Sequence, residues 1–174
     1  NHSSAASDVY KRQVHGQPIY DERPLTQADF LNPTADDYFE LGPNHDQDVE
    51  RLKQIFQVHY RHNQLTNVFA MTRIQWQDAT LDQPRADILI ASADGSTEPR
   101  SRLSNRTLPK NTYDVQEWGR PPSTIIEVIS PRFVEFDLTT KVDLYARGGI
   151  EEYFIVDSGA VSYTHLRAHE TSEN

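Results

Sequence analysis

The run from Ser123 to Ser130 constrains this chain more than any other stretch. Read as a strand, it points Ile125, Ile126, Val128 and Ile129 to both faces, which is the pattern of a central strand covered on both sides. Glu127 stands in the middle of it. A carboxylate there costs several kcal/mol to bury unless something compensates, so an aliphatic residue is expected and an acid needs a reason. Pro131 ends the strand. The spacing then predicts a helix over 137–147, with Leu138, Val142 and Tyr145 on one apolar stripe, Asp137 placed to cap its start, and Gly148 and Gly149 suited to a left-handed stop. A second buried strand is predicted over 152–157. The unit is strand, helix, strand, with one unexplained acid at its centre.

The two ends of the chain are set apart from this pattern. Residues 3–13 and 161–171 resemble the in-frame translation of paired sequencing adapters, one at each side of an insert. The expectation is three segments: adapter-like tails at 1–13 and 161–174, and a single domain fragment over 14–160. His2, His165 and His169 are accordingly left out of the search for ligands.

Within the insert, residues 14–24 are polar, broken by proline and without a clear element, and Thr26 is then placed to cap a short helix that Asn32 and Pro33 close. A longer helix is predicted from about Asn44, burying Val49, Leu52, Phe56 and Ile55, with Asp46 and Asp48 at its positive end and His59 and His62 at a solvated exit. Strands are predicted over 67–77 and 86–91, the second apolar except for Asp87. Residues 92–122 read as one long loop. It carries Arg100, Arg102, Arg106 and Lys110, a basic cluster in a chain of net charge −9. The order helix, strand, strand, strand, helix, strand implies an α/β (α+β) domain with a mixed central sheet flanked by helices.

The acidic balance argues against a protein that coats nucleic acid indiscriminately, because phosphate binding needs basic contacts; a local basic groove is still compatible with it. With no cysteine, disulfides and thiolate metal sites are excluded. No apolar run approaches a membrane span, so a cytoplasmic protein without a membrane partner is the default expectation.

Three blocks carry a resemblance: Pro84 through Asp87, Pro122 through Pro131 with Glu127 inside, and the Asp137, Lys141, Tyr145 series leading through Gly149 to Tyr153 and Asp157. In that order and spacing they are similar to the "Uma two" family of restriction-endonuclease-like proteins, within the PD-(D/E)XK nuclease superfamily. The resemblance implies a restriction-endonuclease-like core and a DNA endonuclease dependent on Mg²⁺ or Mn²⁺. Asp87 and Glu127 would be the metal-binding acids, joined by the backbone carbonyl of Val128, with Lys141 as the catalytic lysine. His45 and Asp137 would be accessory groups, DNA the partner, and a homodimer is left open. One departure stands out: the superfamily lysine two places after the second acid is here Ile129. Lys141 on the helix offers a replacement, because its stem can lie along the core while its amine reaches the end of the sheet and points between Asp87 and Glu127. The rival reading is an inactive module that keeps the nuclease fold and binds nucleic acid or a protein partner. Taken singly, each residue also has an ordinary explanation: Glu127 paired to an arginine, Asp87 in turn chemistry, Lys141 on a helix flank, His45 at a helix start, and the basic cluster as a polar loop.

Overall fold

The computed structural model describes residues 26–33, 44–92, 111–130 and 133–157, together with the backbone of strands at 9–14, 17–22 and 162–167. The order of elements is β1 (Val9–Val14), β2 (Gln17–Glu22), α1 (Gln27–Leu31), α2 (His45–His59), β3 (Thr66–Gln75), β4 (Arg85–Ser92), β5 (Thr112–Asp114), α3 (Val115–Trp118), β6 (Thr124–Val128), α4 (Val134–Leu138), α5 (Thr140–Arg147), β7 (Glu152–Asp157) and β8 (Ser162–Arg167). One six-stranded mixed sheet runs β5-β3-β4-β6-β7-β8, and β1 pairs with β2 separately.

The centre of the sheet is antiparallel from β3 to β4 and from β4 to β6, then parallel from β6 to β7. The parallel pair needs a crossover, and α4 with α5 supplies it. Alternation along β6 divides the interior into two cores. Ile125 packs with Leu89, Leu144, Tyr145, Tyr153 and Ile155 on one face, while Ile126 and Val128 pack with Ile88, Ile90 and Val49 of α2 on the other. Burying each such aliphatic side chain contributes about 1.5–3 kcal/mol. Sharing the parity of Ile125, Glu127 falls on the face that α5 covers.

Local signals explain several element ends. Thr26 and Asp29 form a reciprocal capping box at the start of α1. At the end of α5 the Gly149 amide donates to the Ala146 carbonyl and the Ile150 amide to the Tyr145 carbonyl, with Gly149 at φ 81° and Ile150 buried as the apolar follower. In α2, Val49 is buried and Leu52 and Phe56 pack against the second core, but Ile55 is 60% exposed. His59 and His62 are exposed, as expected of a solvated helix exit.

The structure adds elements where the sequence assigned none and divides one helix. The span predicted as loop holds β5 and α3, elements of three and four residues, too short to show a period. The helix predicted over 137–147 starts earlier and breaks at Thr139 (φ −128°, ψ −74°) into α4 and α5, so Asp137 lies inside a helix and does not cap one. Residues 9–13 and 162–167, set apart as adapter-like, take strand conformation, and β8 pairs antiparallel with β7. The polar segment after residue 14, expected to hold no clear element, contains β2. The basic cluster Arg100, Arg102, Arg106 and Lys110 lies outside the described residues.

Candidate active site

The ladder between β4 and β6 stops at the pair Ile88–Ile126. One step further the same register sets Asp87 opposite Glu127, and there side chains take over from the backbone. The Asp87 amide donates to Glu127 Oε2 at 3.3 Å, and the Val128 amide donates to Asp87 Oδ2 at 2.9 Å. Both acids are buried, Glu127 with 1% of its surface exposed. They line a cavity of about 290 Å³ at this end of the sheet, together with His45, Asp46, Met71, Arg85, Val128 and Lys141 among others.

Three elements bring the remaining polar groups to the acids. From α2, buried His45 places Nε2 3.0 Å from Asp87 Oδ2 and Nδ1 3.4 Å from Asp46 Oδ1. From α5, Lys141 Nζ lies 3.1 Å from Glu127 Oε1 and 2.9 Å from Asp137 Oδ1 on α4. One turn on, the Tyr145 hydroxyl donates to the same Glu127 Oε1 at 2.6 Å. The Tyr153 hydroxyl donates to the Asp137 carbonyl at 2.9 Å and so ties β7 to α4. Phe30 of α1 closes the amine off from above, 4.7 Å from Lys141 Nζ to the ring centroid, and is itself stacked on Phe133 at 4.3 Å.

On each acid one oxygen takes two donors, and on Glu127 the other oxygen, Oε2, takes the Asp87 amide. His45 and the Val128 amide both take Asp87 Oδ2; Lys141 and Tyr145 both take Glu127 Oε1. Burial pushes the Glu127 carboxyl up to about 8; the Lys141 charge pulls against this, and Asp87 and Asp137 add to the rise. Asp137 is raised for the same first reason. Burial alone would lower Lys141, but Glu127, Asp137 and Asp87 together raise it, so it stays an ammonium. His45 is likewise lowered by burial and then carried up to about 9 by Asp87 and Asp46, which makes it an imidazolium at neutral pH. Tyr145 and Tyr153 are raised, chiefly by burial, and remain protonated donors.

The predicted site residues therefore converge: Asp87, Glu127, Val128, Lys141, His45 and Asp137 share one cavity. One placement differs in detail from expectation. The amine of Lys141 sits between Glu127 and Asp137, not between Glu127 and Asp87. The Val128 group engaged here is its amide. Glu127 has a lysine and a tyrosine as partners, which replaces the arginine of the ordinary reading. Ile129, at the place of the superfamily lysine, packs against the first core. Sequence reasoning missed the Tyr145 hydroxyl, although its spacing of four from Lys141 puts both on one helix face, and it missed Phe30, for which no local signal exists.

As a cation site the donor set is sparse. Among the described residues no group of three or more His, Cys, Asp and Glu side chains is arranged to hold a metal ion. Two carboxylates side by side nonetheless suit a hard cation such as Mg²⁺, which takes one or two carboxylates and completes its shell with water and substrate oxygen. Asp87 and Glu127 fit that requirement.

Comparison with known proteins bears on the same residues. A family model described as "Uma2: Putative restriction endonuclease" matches residues 39–173, a span that includes much of the C-terminal segment read as adapter-like. Among solved structures, that of a "putative nuclease belonging to DUF820" from Anabaena variabilis is similar over 99% of this chain and 78% of that one, with a TM-score of 0.54 and 14% identity. At that identity the likeness concerns the fold. No curated protein matches the chain.

Proposed function

The chain belongs to the Uma2 family, and we propose that it is a metal-dependent endonuclease that hydrolyses phosphodiester bonds in DNA. The observation that carries this reading is the opposition of Asp87 and Glu127 at the point where their ladder opens, with the Lys141 amine 3.1 Å from Glu127. Phosphodiester hydrolysis at neutral pH needs an activated water and compensation for the charge that grows on the phosphate oxygens. A bound Mg²⁺ or Mn²⁺ supplies both. Asp87 and Glu127 would hold it, with the Val128 carbonyl as a further candidate ligand.

The chain's own residues do the rest. Tyr145 and Lys141 fix the rotation of Glu127 by holding Oε1, which turns Oε2 toward Asp87. His45 and the Val128 amide fix Asp87 in the same way. Asp137 and Phe30 hold the Lys141 amine at the cavity wall, where a fixed positive charge stabilises an anionic transition state without reorganising. Lys141 thereby takes over from the strand lysine whose place Ile129 occupies.

Ile129 also supports a second reading, a nuclease-fold module that binds nucleic acid or a protein without cleaving. Plasmid nicking with Mg²⁺ or Mn²⁺ separates the two. Cleavage by the parent protein that is abolished in Glu127→Gln and reduced at least a hundredfold in Lys141→Ala supports the enzyme. Plasmid binding without nicking in either metal supports the module.

A further inference from the structure

The ring that covers the Lys141 amine belongs to a segment too short to hold itself in place. Phe30 lies on α1, a helix of five residues, and so short a helix is unstable without tertiary support. Its capping box closes only the N-terminal end. The span matched by the family model begins at residue 39, after α1. Yet Phe30 lines the cavity with Asp87 and Glu127 and stands 4.7 Å from Lys141 Nζ.

At the other end of α1, Asn32 fastens the helix to the turn between β3 and β4. Its side chain works in both directions: Nδ2 donates to Asp82 Oδ1 at 2.8 Å, and Oδ1 accepts the Gln83 amide at 2.9 Å. The first of these bonds joins residues 50 positions apart. The turn is a firm anchor. Asp78 Oδ1 accepts both the amide and the hydroxyl of Thr80, at 2.8 and 2.7 Å, and Leu81 is buried in the first core. Leu31 and Pro33, on either side of Asn32, are buried and keep α1 on the fold. Such apolar contacts have no direction, so they leave the rotation of the helix loosely set. Two opposed hydrogen bonds on one planar amide do set it.

We propose that Asn32 is a positioning residue for phosphodiester hydrolysis: its clasp on the β3–β4 turn sets the rotation of α1 and, through the Phe30 ring, the place of the Lys141 amine. Rotation matters because an aromatic ring attracts a cation over its face and repels it at its edge. Glu127 and Asp137 hold the amine at 3.1 and 2.9 Å, and the ring face closes the side they leave. Asn32 and Asp82 do not line the cavity, so the clasp acts on the reaction through Phe30. The inference rests on the nuclease reading and extends its machinery to a polar pair outside the cavity.

The test exchanges the two partners. Asn32→Asp sets a carboxylate against Asp82 where an amide donated. Adding Asp82→Asn returns a donor to the pair with the roles reversed and leaves an acceptor for the Gln83 amide. Asn32 is exposed, so its variants should fold, and thermal melts check this. Plasmid nicking at saturating Mg²⁺ or Mn²⁺ is followed over a range of plasmid concentrations, well below every melting temperature. The expected result is a kcat about five- to tenfold lower in Asn32→Asp with KM little changed, the mark of an interaction that serves the transition state. The double variant should recover most of the parent's kcat, and in a Phe30→Leu background Asn32→Asp should have no further effect. A lower melting temperature with an unchanged kcat would show a merely structural clasp and overturn the proposal. A loss of kcat that Asp82→Asn does not rescue, or that persists in the Phe30→Leu background, overturns it as well. A parent that nicks with neither metal defeats the nuclease reading and the clasp with it, whereas a nicking parent indifferent to Asn32→Asp defeats the clasp alone.

Discussion

Asp87 and Glu127 each hold the other's strand: the Glu127 carboxylate accepts the Asp87 amide, and the Asp87 carboxylate accepts the Val128 amide. The acids thus take two amides that lie just past the last paired residues of the β4–β6 ladder, and the opening of the sheet and the site are one feature. An aliphatic residue at 127 would fill the core yet leave the Asp87 amide without its acceptor. Leaving a buried donor unsatisfied costs about 1–3 kcal/mol.

Stability of the metal-free protein should fall as pH rises. Glu127 is raised from 4.5 to about 8, so its contribution is full below 4.5 and lost as pH climbs through 8. His45 is raised from 6.5 to about 9, so its contribution is full below 6.5 and lost through 9. Both signs agree. Thermal melts in EDTA from pH 5 to 9.5 should show a continuous decline for the parent. In Glu127→Gln the decline should be smaller, what remains coming from His45 and from Asp137, which burial also raises; a decline identical to the parent's would mean that Glu127 is not raised.

Tyr145→Phe removes one hydroxyl and leaves the ring in the first core. Its hydrogen bond to the carboxylate is short, 2.6 Å, and a bond of this kind to a charged group contributes about 1.5–3 kcal/mol. Without it the charged form of Glu127 loses a donor, so the carboxyl should rise further. The variant should stay folded, and the pH at which Mg²⁺ half-stabilises it should move upward. An unchanged midpoint would show that Tyr145 only packs.

Gly148 is fixed by Trp76. A Cβ at 148 would stand 2.5 Å and 2.6 Å from two ring carbons of that indole, whose Nε1 is tied to the Asp82 carbonyl at 2.7 Å. The ring cannot withdraw without losing that bond. Gly148→Ala should therefore destabilise by about 1–3 kcal/mol in urea titration. Nicking rates below the transition should be unaffected, since Gly148 does not line the cavity with the acids.

How much of this was legible in the sequence varies with the range of the signal. The strand around Glu127 and the helix from residue 44 are visible because alternation and a 3.6-residue stripe are local patterns, and the two acids stand out against apolar neighbours. Asp137 was misread as a cap because the break at Thr139 has no marker in the chain; Phe133 and Phe136 pack around Phe30, and that contact joins segments a hundred residues apart. The left-handed backbone at Met71 (φ 49°) was invisible, since methionine gives no hint of it. The position of the Lys141 amine between Glu127 and Asp137 depends on the crossing of α4 and α5, which no spacing encodes.

The central claim is that Glu127 is a metal ligand, and it is tested most directly by thermal melts of the parent and Glu127→Gln at pH 7 with and without Mg²⁺. Burial pushes the Glu127 carboxyl up, so the metal-free site disfavours its charge, and glutamine keeps the shape while removing that charge. Asp137 stays to pair with Lys141. The expected result is a variant at least as stable as the parent in EDTA, with the Mg²⁺-dependent rise in melting temperature, a consequence of ligand binding to the native state alone, abolished. A variant that loses about 3–5 kcal/mol in EDTA, as breaking a buried ion pair does, and still responds to Mg²⁺ like the parent would contradict the claim.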